Sequence, residues 1–156
     1  MAMLVLPTAA VADAVQWAEA EGGNGHWYQG INAGPISWID SRVGAIAIGG
    51  DLASLETGDE VVWVFNTVAS DSALWSHNAN ENDGPHIGGF QNTGAPDYNE
   101  PDGGWYWLTG TPLQATYWGP GQPNNSGSQN HLHFWSTGSS IDITFDDVDD
   151  DDSSGG

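Results

Sequence analysis

The chain lacks cysteine entirely and carries almost no positive charge. Without cysteine, neither a disulfide framework nor a thiolate metal site can form. A single Lys or Arg residue stands against 21 Asp and Glu residues, which gives a formal net charge of -20. Such a charge repels nucleic acid and anionic membranes, and it attracts divalent cations or basic partners. Selection for solubility in a salty or crowded medium is the alternative explanation.

Long hydrophobic runs are also missing, so we expect no membrane-spanning helix. Residues 1–14 are mildly apolar and end in Ala12-Asp13-Ala14, which is similar to a small-residue cleavage site, but they lack a basic beginning. This segment is therefore either a degenerate export signal or a structural arm. The length of 156 residues suits one domain. We divide the chain into an arm or signal-like segment (1–23), a domain (24–148) and an acidic tail (149–156).

Helical signals occupy the first half of the chain. Ser37 followed by Asp40 predicts a capped helix over residues 38–48, and Thr57 followed by Glu60 matches the capping box of a second helix. In that second helix, apolar residues recur at helical spacing, which predicts plain core packing. The apolar stripe consists of Val61, Val64, Phe65 and Val68.

Strand signals dominate the second half. Short apolar or aromatic runs predict strands at residues 25–31, 86–90, 105–109, 131–135 and 141–145. Outside the run at 86–90, residues 71–101 are rich in Asn, Asp, Gly and Pro and are predicted to be irregular. From Asp146 onward the sequence is typical of an acidic tail. Because helices come early and strands come late, the fold class is predicted to be α+β.

An aromatic strand followed by a stiff loop is the most informative stretch. Trp105 and Trp107 have the same parity, so on a strand they point to one face. Further along, Gln122 and Asn124 flank Pro123, which fixes the backbone between them. Neutral oxygen donors on a rigid turn suit a hard cation such as calcium, or sugar hydroxyls. An ordinary Gly/Pro turn between two strands remains the alternative.

Taken in order, these motifs resemble the C-type lectin-like domain of the bacterial, cysteine-free kind. The stretch His86-Ile87-Gly88-Gly89-Phe90 is similar to the family's Trp-Ile-Gly-Leu signature, and Tyr117-Trp118 precedes the proline loop as in many members. The likeness extends over residues 25–147. It implies an α+β fold in which two helices flank small antiparallel sheets, with a long irregular loop region.

The resemblance also implies a calcium site that grips sugar hydroxyls. Its metal ligands would be Gln122, Asn124, Gln129, Asp146 and Asp147, the last two from Phe145-Asp146-Asp147, which is similar to the family's Trp-Asn-Asp motif. Gln129 stands where an acidic ligand is usual, which lowers the charge of the site and should weaken calcium binding. The Gln-Pro-Asn loop mixes mannose-type and galactose-type motifs, so the choice of sugar stays open.

The implied function is non-catalytic carbohydrate binding outside the cell, secreted or at the cell surface, with a glycan as partner. The carbohydrate contacts would come from Gln122, Asn124 and Asp146, with Trp118 or Trp135 packing against the site or stacking on a sugar ring. No nucleophile elbow, zinc-protease or phosphate-loop motif occurs, so we expect no enzyme.

A structural role is the second hypothesis. The family's final strand is missing here, because residues 149–156 are all Asp, Ser and Gly and cannot form a buried strand. The strand at 25–31 would then have an open edge. Either the sequence is cut short or a partner supplies the strand, for instance residues 1–15 of a neighbouring copy in a homo-oligomer. Binding to ice or a mineral surface is a third hypothesis.

Two histidines offer a different metal site. His131 and His133 alternate on one face of a predicted strand and would suit zinc. Spacing supplies no third ligand, so core or strand-surface histidines are the preferred interpretation.

Overall fold

The computed structural model describes residues 13–114 and 116–150. Two small antiparallel sheets and two helices follow one another along the chain. The elements are β1 (Val15–Gln16), β2 (Trp27–Tyr28), α1 (Trp38–Ala47), α2 (Gly58–Val64), β3 (Ser76–His77), β4 (Glu81–Gln91), β5 (Trp105–Trp107), β6 (Gln129–Thr137) and β7 (Thr144–Asp149). This arrangement confirms the predicted α+β class. The first part of the predicted arm (1–12) and the end of the predicted tail (151–156) lie outside the described residues.

Both helices begin at the predicted caps. The Ser37 hydroxyl accepts the Asp40 N–H at 3.1 Å, and the Thr57 hydroxyl accepts the Glu60 N–H at 3.2 Å. The first helix ends one residue before the predicted boundary, and the second continues into a π-helical turn, Phe65–Ala69. Among the described residues, neither helix is long and apolar enough to cross a membrane.

The larger sheet runs in the order β3-β4-β6-β7, with β5 also paired to β4. The predicted short strand at 86–90 is wrong in length, because β4 starts at Glu81. Residues 81–85 contain Asn, Asp, Gly and Pro, which favour turns locally, but Asn82 pairs with Ser136 across the sheet. A bulge between Asp83 and His86 accommodates the Gly-Pro pair.

The last strand is displaced from its predicted position. It covers Thr144–Asp149 rather than 141–145, so the prediction of an acidic tail from Asp146 onward is wrong for the first four residues. Pairing with β6 draws these residues into the sheet, with Leu132 opposite Asp147 and Phe134 opposite Phe145. Two carboxylates are consequently enclosed in the structure.

An aromatic core lies between the larger sheet and α2. Trp105 and Trp107 lie on one strand with the shared parity that predicted a common face, and both are buried. The largest of the fully buried apolar side chains in the core are Trp107, Leu132, Phe134, Phe145 and Val148. Burial of several large rings supplies the main stabilisation of a chain that has no cross-links.

The smaller sheet is tied to α2 by a buried carboxylate. Strand β1 comes from the same chain and pairs Val15 with Tyr28 of β2. The Glu60 carboxylate is 3% exposed and accepts hydrogen bonds from the Tyr28 hydroxyl and, at 2.8 Å, from the Asn24 amide. Burial, together with this carboxylate, raises the pKa of Tyr28.

Close packing at Gly84 gives a test of the β4 bulge. A Cβ at this buried position would lie 2.9 Å from the Phe134 carbonyl oxygen and 2.8 Å from the Trp75 ring. We therefore expect Gly84→Ala to lower the free energy of unfolding in urea by about 1–3 kcal/mol. The matched control is Gly94→Ala on an exposed turn, where the nearest atom is 3.4 Å away and the change should stay within about 0.5 kcal/mol. Equal stability of the two variants would contradict this packing.

Candidate functional site

The loop that follows Tyr117 runs beside strand β7. The Phe145 N–H donates to the Tyr117 carbonyl at 2.7 Å, and the Gly119 N–H donates to the Phe145 carbonyl at 2.9 Å. This close approach needs a glycine, because a Cβ at Gly119 would lie 2.8 Å from the Trp135 ring. The loop then turns through the cis bond between Gln122 and Pro123.

The carboxylate of Asp147 holds the loop at its centre. This side chain is 0% exposed, and its two oxygens accept the backbone N–H groups of Asn124 at 2.9 Å and Asn125 at 2.6 Å. Burial raises the pKa of the Asp147 carboxyl, although the two N–H donors act in the opposite direction and Asp146 nearby adds to the rise. Asn125 adopts a positive φ of 45°, which is uncommon for a residue other than glycine.

Side-chain amides complete the turn. The Ser126 N–H donates both to the Asn124 side-chain oxygen at 2.8 Å and to the Gln129 side-chain oxygen at 2.7 Å. The Gln129 N–H in turn donates to the Asn125 side-chain oxygen at 3.0 Å. Two of the predicted ligand oxygens therefore converge on one N–H group. Each of these carbonyl oxygens retains a second lone pair for another donor or a cation.

The remaining two predicted ligands differ from these. Within the described part of the chain, the Gln122 side-chain oxygen and Asp146 Oδ1 are both buried and accept no hydrogen bond. Asp146 Oδ2 lies 3.9 Å from Nε2 of His133, which is itself buried. Asp147 thus binds the loop through both oxygens, whereas Asp146 points one oxygen toward the histidine and leaves the other unused.

The two candidate sugar-stacking tryptophans have different environments. Trp135 is 6% exposed and lies against Gly119, so its ring packs beneath the loop. Trp118 is half-buried and meets Trp105 edge-on, with ring centroids 5.0 Å apart. Of the pair, only Trp118 has ring surface for a ligand.

The histidines of β6 are packed inside the protein. His131 stacks on Trp38 with ring centroids 4.2 Å apart, and His133 lies 6.2 Å from the ring of His86. Burial lowers the pKa of His131. Within residues 13–114 and 116–150, no three His, Cys, Asp or Glu side chains are grouped so as to hold a metal. The predicted calcium ligands would not count as such a group, because three of the five are side-chain amides rather than His, Cys, Asp or Glu.

Sequence reasoning missed two residues of this turn. Asn125 and Ser126 supply the positive φ and the shared N–H on which the loop geometry depends. The signal was present, because Asn before Ser-Gly is typical of a tight turn. What the sequence could not indicate is that Asp147 accepts from the backbone rather than from a side chain.

Three of the solved structures that are similar to this chain illustrate the likeness. They are the C-type lectin CEL-I from Cucumaria echinata (20% identity, TM-score 0.52, covering 74% of this chain and 76% of that one), the carbohydrate-recognition domain of the mouse scavenger receptor C-type lectin (15%, 0.51, 75% and 74%), and the C-type carbohydrate-recognition domain of cow CD23 (19%, 0.51, 79% and 81%). No protein-family model and no curated protein sequence matches the chain. At these identities the likeness concerns the fold alone: the chain has the C-type lectin-like fold that its motifs predicted.

Proposed function

We propose that this protein is a non-catalytic carbohydrate-binding domain that acts outside the cell through its Gln122-Pro123-Asn124 loop. The observation that carries the proposal is the buried Asp147 carboxylate, which fixes the loop backbone by two hydrogen bonds. A fixed loop loses little conformational entropy when it binds a ligand. The neighbouring structures support the ligand class, since two are carbohydrate-recognition domains and the cow CD23 structure was determined with an oligosaccharide present.

The chemistry of the loop suits sugar hydroxyls. The amides of Gln122 and Asn124 each offer one carbonyl oxygen and one NH₂ group, and sugar hydroxyls both donate and accept hydrogen bonds. The half-buried indole of Trp118 offers an apolar surface for the C–H face of a sugar ring. These groups combine polar orientation with stacking, as small-ligand sites do.

Calcium assistance is the second part of this proposal. The residues present fit a hard cation in donor type, because all five are oxygen donors and two of the oxygens, on Gln122 and Asp146, accept no other hydrogen bond within the described residues. The ion would be held by Gln122, Asn124, Gln129, Asp146 and Asp147, and when bound it would polarise the sugar hydroxyls. With only two carboxylates, binding should be weak, at about 1 mM.

Weak calcium binding predicts a measurable shift in melting temperature. At 10 mM calcium, tenfold over that dissociation constant, linkage adds about 1.4 kcal/mol of stability. This corresponds to a rise of about 3–6 °C for a chain of this size. Magnesium at the same ionic strength is the control, and Asp146→Asn should reduce the calcium shift whereas the exposed Asp102→Asn should not. No shift with calcium would remove the ion from the proposal and leave direct sugar binding.

The raised pKa of Asp147 predicts how that shift depends on pH. Protons compete with calcium for the carboxylate, so the calcium increment should be complete at neutral pH and disappear as pH falls through the raised pKa. An ordinary Asp, with a pKa of about 3.9, would keep the increment to lower pH. Thermal melts from pH 7 to pH 4, with and without calcium, would measure this. Loss only near pH 4 would argue that Asp147 is not a ligand.

The Asp147 contact predicts which variant loses glycan binding. In Asp147→Asn an NH₂ group replaces one carboxylate oxygen, so one of the two loop N–H groups loses its acceptor. We expect a destabilisation of about 1–3 kcal/mol and loss of binding on a glycan array, with the secondary structure retained by circular dichroism. Asp102→Asn removes the same charge at an exposed position and should bind normally. Undiminished glycan binding by the Asp147 variant would exclude this loop as the binding site.

A further inference from the structure

A large apolar groove lies away from the proline loop. It has a volume of about 1220 Å³ and is bounded by β2 and the residues after it, by α1, and by the core edge of β4. Its apolar lining includes Tyr28, Ile31, Ile48, Leu74, Ile87 and Phe134. A cavity of this size beside the core exposes apolar surface to water, which is unfavourable unless something covers it.

Exposed apolar side chains mark the mouth of this groove. Trp27 is 64% exposed, Ile48 is 63% exposed and Ile31 is 41% exposed, and all three line it. Three residues of α1, Ser41, Gly44 and Ala45, line the groove at helical spacing, and so does Ile48 directly after the helix. The small residues among them leave room between helix and strand.

Strand β2 lies beside the groove, and one of its two edges has no paired strand within the described residues. Among residues 13–114 and 116–150, β2 pairs with β1 and with no other strand. A two-stranded ribbon is marginal by itself, and an unpaired edge accepts a further strand through its backbone groups. Backbone pairing and apolar cover would thus be supplied together by one extended segment.

We propose that residues 1–12 of this chain occupy the groove as an extended segment. The chain reaches the groove where the described residues begin, since Ala14 lines it. The sequence Met-Ala-Met-Leu-Val-Leu-Pro-Thr-Ala-Ala-Val-Ala contains no charged side chain and is mostly apolar. Ala14 comes eight positions after Leu6, and at roughly 3.3 Å per residue this stretch can span about 26 Å. The apolar run at residues 3–6 can therefore lie up to at least that distance from Ala14.

The acidic lining of the groove favours this segment as the occupant over the acidic C-terminal end of the sequence. Asp51, Glu56 and Glu60 also line the groove, and they would repel Asp151 and Asp152 near the C-terminal end of the sequence. An uncharged segment meets no such repulsion. The proposal does not depend on sugar or calcium binding, because the only residue of the groove lining beyond Thr109 is Phe134.

Engineered cysteines in this cysteine-free chain test the proposal. Cysteine is introduced singly at Leu4, Val5 or Leu6 and combined with Ile48→Cys in the groove. A disulfide forms only where the two Cα atoms come within about 7 Å. We expect at least one of the three pairs to cross-link in most chains under mild oxidation. The control combines the same three positions with Val62→Cys, which is 43% exposed on α2 and is not part of the groove lining.

The products also identify the donor of the segment. A cross-linked monomer on a non-reducing gel means that each chain fills its own groove and supports the proposal. A covalent dimer as the main product means that a neighbouring copy fills the groove and contradicts the proposal. Circular dichroism of the reduced variants would establish that they fold. If none of the three Ile48 pairs cross-links more than its Val62 counterpart, the proposal is wrong.

A second measurement avoids cysteine altogether. Val5→Asp should expel the segment from an acidic, apolar groove and increase the fluorescence of an added hydrophobic dye. Thr8→Asp adds the same charge outside the apolar run and should raise the fluorescence less. Equal dye binding by wild type and both variants would count against occupancy by this segment.

Discussion

A buried carboxylate that accepts two backbone N–H groups is the contact on which the candidate site depends. The loop around Pro123 forms no extended ladder with a neighbouring strand, and a chain without cysteine cannot tie it covalently. Asp147 replaces both kinds of restraint with two charge-assisted hydrogen bonds. Burying the charge is costly, and the raised pKa of this carboxyl is the visible sign of that cost. The backbone positions of Asn124 and Asn125 depend on this one contact.

Glu60 is a second buried carboxylate that joins two elements of the fold. It is 3% exposed and joins α2 to β2 through the Tyr28 hydroxyl and the Asn24 amide. The chain has a single Arg, Arg42, which pairs with Asp51 on the surface. With no Lys and no second Arg in the sequence, the Asp147 and Glu60 carboxylates are satisfied by neutral N–H and O–H donors. A composition so poor in Lys and Arg therefore accounts for the kind of polar contact found at these two carboxylates.

Local signals were predictable from the sequence, and long-range pairing was not. The caps at Ser37 and Thr57 depend on residues three positions apart, so both were predicted correctly. The extent of β4 depends on pairing with β6 some fifty residues away, and the register of β7 depends on pairing with β6 some ten residues away. In both strands, residues that favour turns led the prediction away from the observed bounds. The candidate site falls between these cases. Its residues are predicted by resemblance, whereas the role of Asp147 as a backbone acceptor emerges only from the folded loop.

The apolar periodicity of α1 is another case in which a local pattern does not predict the packing. Ile39, Val43 and Ile46 recur at helical spacing, a pattern typical of a buried face, yet they are 47–60% exposed. They lie on the side of the helix opposite Ser41, Gly44, Ala45 and Ile48, which face the groove. Of α1 itself, only Trp38 is buried. A helix with so little contact is held mainly by its Trp anchor, whose indole N–H donates to the Ile87 carbonyl at 2.8 Å. Filling the groove would give this helix a second packed face, so occupancy of the groove and the stability of α1 should be coupled.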